Sequence, residues 1–407
     1  MTGIFPAPGE IDRWIDDGEA LALVEELMAI PGKSGEELQV AERVRERLQE
    51  VGVPEKAVLF DQVHRRSRLG GQCGNLICHW PASLAGPRRL FAAHLDTVPL
   101  CEGSRPERRG GRFRSAVAGR ALGADNRSGV AVLLTVARTL ARHNLRTMPL
   151  SFCWFVQEEV GLEGSRHVSL ATLRRPRLAF NWDGGSAEKL TIGATGAYRM
   201  EIEILGRASH AGNAPEKGVS ALVVAGQAIA QLAHSGWHGK IVQQDGEGTS
   251  NIGVLQAGEA TNVVAPYARL SAEARSHDPR FRRKIVRQFR QAFRQAAQAV
   301  QSADGRRARI RWKERLDYES FLLDKDEVVV QTAVEAVRHL GGEPQLAVAR
   351  GGLDANWLVR HGLPTITLGC GQIHPHTPQE QLDIREYLRA CRIALALALW
   401  RPPGRNR

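Results

Sequence analysis

The sequence predicts an α/β protein in which a mixed-sheet α/β/α domain is interrupted by a smaller inserted domain. Short apolar runs such as Phe152–Val156 are typical of strands that are buried on both faces of a sheet. Amphipathic patterns between these runs predict helices that cover the sheet. From about residue 195 the pattern changes to strands with one apolar and one polar face, which indicates the inserted domain.

Length and composition are those of a globular protein with a sizeable core. The chain has 407 residues, of which 43% are hydrophobic and 24% are charged. The net charge of +11 would suit an anionic partner, but the basic residues are mostly scattered arginines, and we expect no nucleic-acid partner. The six cysteines show no disulfide-like spacing, and we find no signal-peptide or membrane-spanning pattern. We therefore expect a cytoplasmic protein without a membrane contact.

Two helices are predicted near the N-terminus, at residues 11–29 and 35–51. The segment 31–35 separates them, and Ser34 is a candidate N-cap of the second helix. The letters GKSG at residues 32–35 match the end of a phosphate-binding loop. The strand and the first glycine of that motif are missing, so we predict no nucleotide site here.

Polar residues with metal-binding chemistry follow the next predicted elements. His94 and Asp96 come after the apolar run 89–93 and face the same side of an extended segment. Because a metal-binding imidazole commonly donates its second N–H to a carboxylate, Asp96 is the candidate partner of His94. Asp125 lies between glycines before an apolar helix at 130–140, where an aspartate is also a common helix cap.

Two adjacent acids, Glu158 and Glu159, follow the buried run at 152–156. Neighbouring residues of an extended segment point to opposite sides, so one acid can hold a metal while the other faces a water as general base. A strand end that emerges into solvent is the alternative. Asp183 ends a similar apolar run at 179–182, and His376 lies in a loop rich in glycine and proline.

These residues together predict a pair of divalent ions that share one carboxylate. In an open α/β sheet, ligands bind beyond the carboxyl ends of the strands, which is where these side chains are expected. The candidate ligands are His94, Asp125, Glu159, Asp183 and His376.

The inserted domain is predicted at residues 196–308, which leaves 1–195 and 309–407 for the metal-binding domain. Its strands and helices follow the order β-α-β-β-α-β, which is typical of a compact ferredoxin-like sheet covered by two helices.

Six motifs occur along the chain: HLDTV at His94, GADNRSG at Asp125, EEVGLEG at Glu158, NWDGG at Asp183, SHAGNAPEKG at His210 and HTPQE at His376. They resemble the motifs of the co-catalytic di-zinc peptidases, which include tripeptidase T, glutamate carboxypeptidase, dipeptidases and aminoacylases. The segment RGGLDAN at residues 350–356 resembles a turn of the tripeptidase T branch, which favours a peptidase over an aminoacylase. The chain departs from the family at Leu353, where that branch usually has threonine, and at Asn126, where aspartate is commoner.

The resemblance implies a specific division of the metal ligands. His94 and Asp183 would hold one zinc ion, Glu159 and His376 the other, and Asp125 would bridge the two. Cobalt and manganese are alternatives to zinc.

The resemblance also implies roles beyond the metals. Glu158 is the implied general base, and Asp96 orients the imidazole of the first metal ligand. The inserted domain corresponds to a lid and dimerisation domain, so we expect a homodimer formed through it. There His210 would help to stabilise the oxyanion, while Asn262 and Arg275 would bind the substrate, Arg275 as a carboxylate clamp.

We therefore predict a di-zinc metallopeptidase that acts as an exopeptidase on short peptides, of the di- or tripeptidase, aminopeptidase or carboxypeptidase type. The nearest alternative is an N-acyl or N-carbamoyl amino-acid amidohydrolase with the same mechanism. A more remote alternative is a basic nucleic-acid-binding protein on an enzyme-like fold, against which the intact ligand set argues.

Overall fold

A computed structural model describes residues 3–402 of the chain, which folds into two compact units. The first unit comprises Met1–Gly193, Leu322–Ala349 and Leu353–Arg407. The second unit comprises Ala194–Phe321 together with Arg350–Gly352. The second unit is thus an insertion in the first, and it continues past the expected boundary at residue 308.

The described residues form ten α-helices and eighteen strands, which are numbered here in chain order. The helices are α1 (Pro8–Trp14), α2 (Asp17–Ala29), α3 (Leu38–Glu50), α4 (Ala124–Arg142), α5 (Glu163–His167), α6 (Ala221–His234), α7 (Pro279–Ala299), α8 (Val328–His339), α9 (Asp354–Arg360) and α10 (Ile384–Leu399). The strands are β1 (Val58–Phe60), β2 (Leu76–Trp80), β3 (Arg89–His94), β4 (Pro106–Arg109), β5 (Arg112–Ser115), β6 (Leu150–Phe155), β7 (Leu178–Trp182), β8 (Lys189–Ala194), β9 (Gly196–Leu205), β10 (Gly239–Gln243), β11 (Gly246–Ala257), β12 (Tyr267–Ser276), β13 (Arg309–Tyr318), β14 (Phe321–Leu322), β15 (Gln345–Ala349), β16 (Thr365–Leu368), β17 (Gln372–Ile373) and β18 (Gln381–Asp383).

The first unit is built on a mixed nine-stranded sheet with the order β1-β2-β6-β3-β7-β16-β8-β14, in which β15 also pairs with β8. The four central strands β6, β3, β7 and β16 run parallel to one another. The flanking pairs β2–β6 and β16–β8 are antiparallel. The α/β prediction is confirmed, and the parallel centre brings the carboxyl ends of four strands to one edge.

Helices cover both faces of this sheet, because the central strands are apolar on both sides. On one face Phe91 packs between Phe152 and Phe180 of the neighbouring strands, with both ring centroids 5.7 Å away. The indole of Trp154 donates to the carbonyl of Val130, which places α4 on that face. The opposite face, with Leu90 and Cys153, packs against Leu358 of α9. The unit therefore has the predicted three α/β/α layers.

The second unit is an antiparallel five-stranded sheet with the order β10-β11-β12-β9-β13. Without β10 it has the predicted order β-α-β-β-α-β, so the four-strand prediction missed one strand. The reason is physical: β10 pairs only with the first part of β11, and only Ile241 of its five residues is buried. A short edge strand of that kind has no apolar alternation to reveal it.

None of the helices within residues 3–402 is both long enough and apolar enough to cross a lipid bilayer.

The helix α7 supplies much of the core of the second unit. Phe281, Ile285, Phe289 and Phe293 recur every four residues on one side of it, and all four are buried in that core. The other side carries exposed polar residues, among them Arg294. The packing of the unit thus depends on one apolar helical stripe.

We expect Phe289→Ala to lower the free energy of unfolding of the second unit by about 3–5 kcal/mol, because it removes a fully buried ring and leaves a cavity. Arg294→Ala on the exposed side of the same helix is the matched control and should change this free energy by no more than about 0.5 kcal/mol. Urea titrations followed by circular dichroism measure both values. Similar losses in the two variants would contradict the proposed packing of α7.

Candidate metal centre

The predicted ligands of the first unit are brought to the carboxyl edge of its sheet. His94 is the last residue of β3, Glu159 follows β6, and Asp183 follows β7 directly. These three strands are parallel neighbours, so their ends lie side by side. Asp125 lies at the start of α4 in non-helical geometry, and His376 comes from the loop between β17 and β18.

Asp125 lies between the two histidines and directs one oxygen to each. Its Oδ1 is 3.2 Å from Nε2 of His94, and its Oδ2 is 3.2 Å from Nε2 of His376. The same Nε2 of His376 is 2.9 Å from Oε1 of Glu159. This is the arrangement that a bridging carboxylate requires.

Two groups of side chains could each hold a cation. The ligand atoms of His94, Asp125 and Glu159 all lie within 4.8 Å of one another. Those of His94, Glu158 and Asp183 do so as well. The structure thus brings all five predicted ligands together, and it places Glu158 within the second group, where the geometry suits a ligand as well as a base.

The buried carboxyl groups of this cluster favour the binding of cations. Burial, together with neighbouring carboxylates, raises the pKa of Glu158 well above its usual value, that of Glu159 to about 7 and that of Asp183 to about 6. Burial alone would raise the pKa of Asp125 too, but the adjacent imidazoles of His376 and His94 lower it. Buried acids of this density are normally paired or bound to metals.

The hydrogen bonding of the cluster is incomplete, which supports the same conclusion. Oδ1 of Asp125 is buried and lies 3.2 Å from Nε2 of His94, but it forms no well-aligned hydrogen bond. Nε2 of His376 faces both Glu159 and Asp125, although a ring nitrogen has only one proton or one lone pair to offer. Imidazole nitrogens and carboxylate oxygens are the ligands that zinc-like divalent ions accept. The residues therefore fit a pair of such ions.

The carboxylate of Asp96 is the main support of the site. Its Oδ1 accepts the main-chain N–H of Glu158 at 3.0 Å, and its Oδ2 accepts that of Glu159 at 3.1 Å. Nδ1 of His94 lies 3.0 Å from the main-chain oxygen of Asp96 and 3.4 Å from its carboxylate. Asp96 thus orients the imidazole chiefly through its carbonyl group, and its carboxylate holds the turn with the two glutamates.

The interpretation of Ser34 as a helix cap was wrong. Helix α3 begins at Leu38, and its N-cap residue is Glu37. The hydroxyl of Ser34 instead donates to Oδ2 of Asp96 at 2.6 Å. The capping prediction failed because it considered only neighbouring residues, whereas the partner of Ser34 is 62 residues away in the chain.

Glu380, a buried residue of the HTPQE motif, supports the site although its sequence pattern predicted no role for it. Its carboxylate accepts the main-chain N–H groups of Gly123 at 2.7 Å and Asp125 at 2.9 Å. It therefore holds the loop that delivers the bridging carboxylate. The motif contains this residue but does not reveal its partner, which lies more than 250 residues away in the chain.

The departure from the family at Asn126 has a structural explanation. Its Nδ2 donates to the carbonyl of Trp182 at 2.8 Å, and its Oδ1 accepts from Nε2 of Gln372 at 2.9 Å. The other end of Gln372 accepts the N–H of Gly184 at 2.9 Å. An amide at position 126 can both donate and accept, so Asn126 and Gln372 tie the start of α4 to both sides of Asp183.

The remaining predicted residues, His210, Asn262 and Arg275, belong to the second unit. The exposed imidazole of His210 accepts the N–H groups of Gly212 at 3.1 Å and Asn213 at 3.0 Å through Nδ1. In the neutral ring this leaves Nε2 as an N–H donor. The segments of His210 and Asn262 are paired, since the N–H of Ala211 donates to the carbonyl of Asn262 at 2.9 Å.

Arg275 lies on β12 and is already held by an acid. Its Nε and Nη2 donate to the two oxygens of Glu273 at 2.9 and 3.1 Å. A second guanidinium, that of Arg199, contacts the same acid at 2.7 Å. The orientation of Arg275 is therefore set within the second unit.

Comparison with known proteins places this geometry in a family. The aminopeptidase PepT of Bacillus cereus ATCC 10987 is 28% identical and superposes with a TM-score of 0.80 over 95% of this chain and 99% of its own. A tripeptidase of Staphylococcus aureus subsp. aureus Mu50 is 26% identical, with a TM-score of 0.84 over 95% and 98% of the two chains. Peptidase T of Escherichia fergusonii is 24% identical over 367 residues, which are 80% of this chain and 85% of that protein. The sequence profile of peptidase family M20/M25/M40 matches residues 90–400, and the chain belongs to that family.

Proposed function

We propose that this protein is an exopeptidase that hydrolyses short peptides with the help of two divalent metal ions. The observation that carries the proposal is the convergence of two histidines and four buried or partly buried carboxylates at one sheet edge. The likeness to PepT, to a tripeptidase and to peptidase T supports short peptides as the substrates.

The proposed ligand sets follow the family resemblance. His94 and Asp183 would hold one ion, Glu159 and His376 the other, and Asp125 both. The mixed imidazole and carboxylate set suits zinc, and cobalt or manganese would also fit. When bound, such ions polarise a carbonyl group and lower the pKa of a water molecule.

Glu158 is the proposed general base. Its main-chain N–H is fixed by Asp96, and its carboxylate lies close to that of Asp183 and to the imidazole of His94. From there it would take a proton from the attacking water and pass it to the leaving amine. Glu159, the next residue, is held by the other oxygen of the same Asp96 carboxylate and contacts His376.

The second unit contributes three proposed substrate contacts. The free Nε2–H of His210 would donate to the oxyanion of the tetrahedral intermediate. Arg275, whose planar group is oriented by Glu273, would bind a substrate carboxylate, and Asn262 would also bind the substrate.

We also propose a homodimer that forms through the second unit, and a cytoplasmic location. Exposed apolar side chains on β10, β11 and β12 support the dimer, with Val242 64%, Leu255 41% and Tyr267 41% exposed. The six cysteines are free thiols, which supports a reducing compartment.

The substrate class is tested by a panel of di- and tripeptides assayed beside N-acetyl and N-carbamoyl amino acids. We expect turnover of the peptides, loss of turnover after the metal ions are removed with a chelator, and recovery when Zn²⁺, Co²⁺ or Mn²⁺ is returned. Product analysis by liquid chromatography measures each rate. A clear preference for the N-acyl or N-carbamoyl compounds would assign the protein to the alternative activity, and no hydrolysis of either class would contradict the proposal.

The roles of the adjacent glutamates are separated by two matched variants. Glu158→Gln should lower kcat by about 10²- to 10⁴-fold while two metal ions remain bound, because it removes only the base. Glu159→Gln should lower the metal content, because it weakens a ligand next to His376. Kinetics and elemental analysis of the purified variants give both quantities. Metal loss in the first variant with full content in the second would show that the roles are reversed.

The loop between β17 and β18 contains two histidines, of which only one contacts the cluster. We expect His376→Ala to lose one metal ion per chain and about 10²-fold or more in kcat. His374→Ala, in the same loop and exposed, is the control and should keep the metal content. Elemental analysis would refute this assignment if the control variant lost the ion instead.

A further inference from the structure

The turn that carries the two glutamates has an unusual backbone. Between the end of β6 and Glu158 the chain passes through Gln157, whose φ is 57° and whose side chain is fully buried. This left-handed conformation costs a residue other than glycine about 1–2 kcal/mol. It persists only where the surroundings hold it in place.

Every polar group of Gln157 has a partner. Its side-chain oxygen accepts from the hydroxyl of Ser67, and its side-chain amide donates to the carbonyl of Gly70. Its main-chain oxygen accepts the N–H of Glu163 at 3.0 Å. Its main-chain N–H donates to Oε1 of Glu37 at 3.0 Å. The last bond links the turn to a loop that lies far away in the sequence.

Glu37 is a fully buried acid whose two carboxylate oxygens have different surroundings. The same Oε1 accepts the N–H of Gly35 at 2.8 Å, whereas Oε2 is buried without a hydrogen-bond partner. Burial raises the pKa of this carboxyl group to about 7. Burying a carboxyl group costs free energy unless hydrogen bonds compensate for the lost contact with water. The two hydrogen bonds that Glu37 accepts here both come from main-chain N–H groups.

The loop Lys33–Glu37 reaches the glutamate turn by two routes. Glu37 accepts the N–H of Gln157, and Ser34 donates to the Asp96 carboxylate at 2.6 Å. Asp96 in turn accepts the N–H groups of Glu158 and Glu159. Three successive main-chain N–H groups, at 157, 158 and 159, therefore donate to two buried carboxylates.

The loop is itself anchored close to the bridging ligand. Arg127, in the first turn of α4, donates to the carbonyls of Ile30 at 3.2 Å and Gly32 at 3.3 Å. The carbonyl of Gly32 also accepts the N–H of Thr97 at 3.1 Å. A Cβ at position 32 would lie 2.7 Å from Nη2 of Arg127, so a larger residue there would displace the end of this side chain. The loop is thus held by hydrogen bonds to the segment that follows β3 and to α4.

We propose that Glu37 is a positioning residue for the general base and acts through the main chain of Gln157. The inference rests on the proposed function, because it takes Glu158 to be the base. Without the Glu37 carboxylate, the main-chain N–H of Gln157 loses its hydrogen-bond acceptor, and the adjacent Glu158 is held less firmly. Small displacements of a catalytic group reduce kcat strongly. The residues proposed to bind substrate are unchanged, so KM should stay near its original value.

The test compares Glu37→Leu with Glu37→Gln and with a control, Arg89→Leu. Glutamine keeps a carbonyl oxygen that can accept both N–H groups, whereas leucine accepts neither. Arg89 is a fully buried charged residue at the opposite end of β3 and donates to the carbonyls of Ala398 at 3.1 Å and Trp400 at 3.2 Å. The Arg89→Leu variant therefore measures the effect of a general loss of stability, because the hydrogen bonds that it removes do not involve the turn with the two glutamates. Glu37→Ala replaces the leucine variant if that variant does not fold.

We expect Glu37→Leu to lower kcat by about 10- to 100-fold with both metal ions bound and with KM changed by less than about threefold. Glu37→Gln should restore most of kcat. Arg89→Leu should lower the melting temperature but keep kcat per folded molecule. Amide hydrogen exchange measured on a peptide that spans residues 155–160 should be faster in Glu37→Leu and unchanged in Arg89→Leu.

Three results would overturn the inference: wild-type kcat in Glu37→Leu, an equal kcat loss in Arg89→Leu, or unchanged exchange at residues 155–160. Failure of the proposed function is a separate outcome, recognised by a wild-type protein that hydrolyses no peptide. In that case the exchange measurement alone still decides whether Glu37 holds the turn.

Discussion

The candidate site depends on one interaction, the double acceptance of main-chain N–H groups by the Asp96 carboxylate. This buried group takes the N–H of Glu158 with one oxygen and that of Glu159 with the other. It can do so because β3 and β6 are parallel neighbours, so the residues after their ends lie side by side. A carboxylate that accepts several N–H groups is stabilised in its charged form, which offsets the cost of burying it. The position of both glutamates is thus a direct consequence of sheet topology.

The acids around the candidate site differ in how directly they contact the proposed metal ligands. Asp125 and Glu159 contact the histidines through their carboxylates. Asp96, which also lies beside His94, and Glu380 hold main-chain groups of the residues that carry ligands. Glu37 is further from the proposed ligands and accepts the main-chain N–H of Gln157, the residue before Glu158. Carboxyl groups therefore extend well beyond the ligand set. Burial raises the pKa of Glu37 and that of Glu380 to about 7, and divalent ions bound nearby would favour the charged forms of both.

The parts of the fold and the site that could be predicted are those that leave a local pattern. The run before Glu158 is apolar over both faces, so its strand and the abrupt change to two acids were visible in the sequence. The strand β10 was not, because only Ile241 in it is buried. Ser34, Glu37 and Gln372 could not be predicted as parts of the site, because their partners lie far along the chain and depend on how the elements pack. Ser34 even gave a false local signal, since serine before a helix normally caps it.

The place of β16 in the sheet has a consequence for how the chain folds during synthesis. This strand lies between β7 and β8 and yet comes from residues 365–368, after the whole second unit. The main-chain N–H of Asp183 donates to the carbonyl of Leu368 at 2.8 Å, so one proposed ligand is held by the last central strand to leave the ribosome. The first 193 residues therefore emerge with a gap at the centre of their sheet, and its closure joins segments far apart in sequence. Such long-range pairing is slow to form, and until it does the facing edges of β7 and β8 keep unpaired main-chain N–H and C=O groups that other chains could bind.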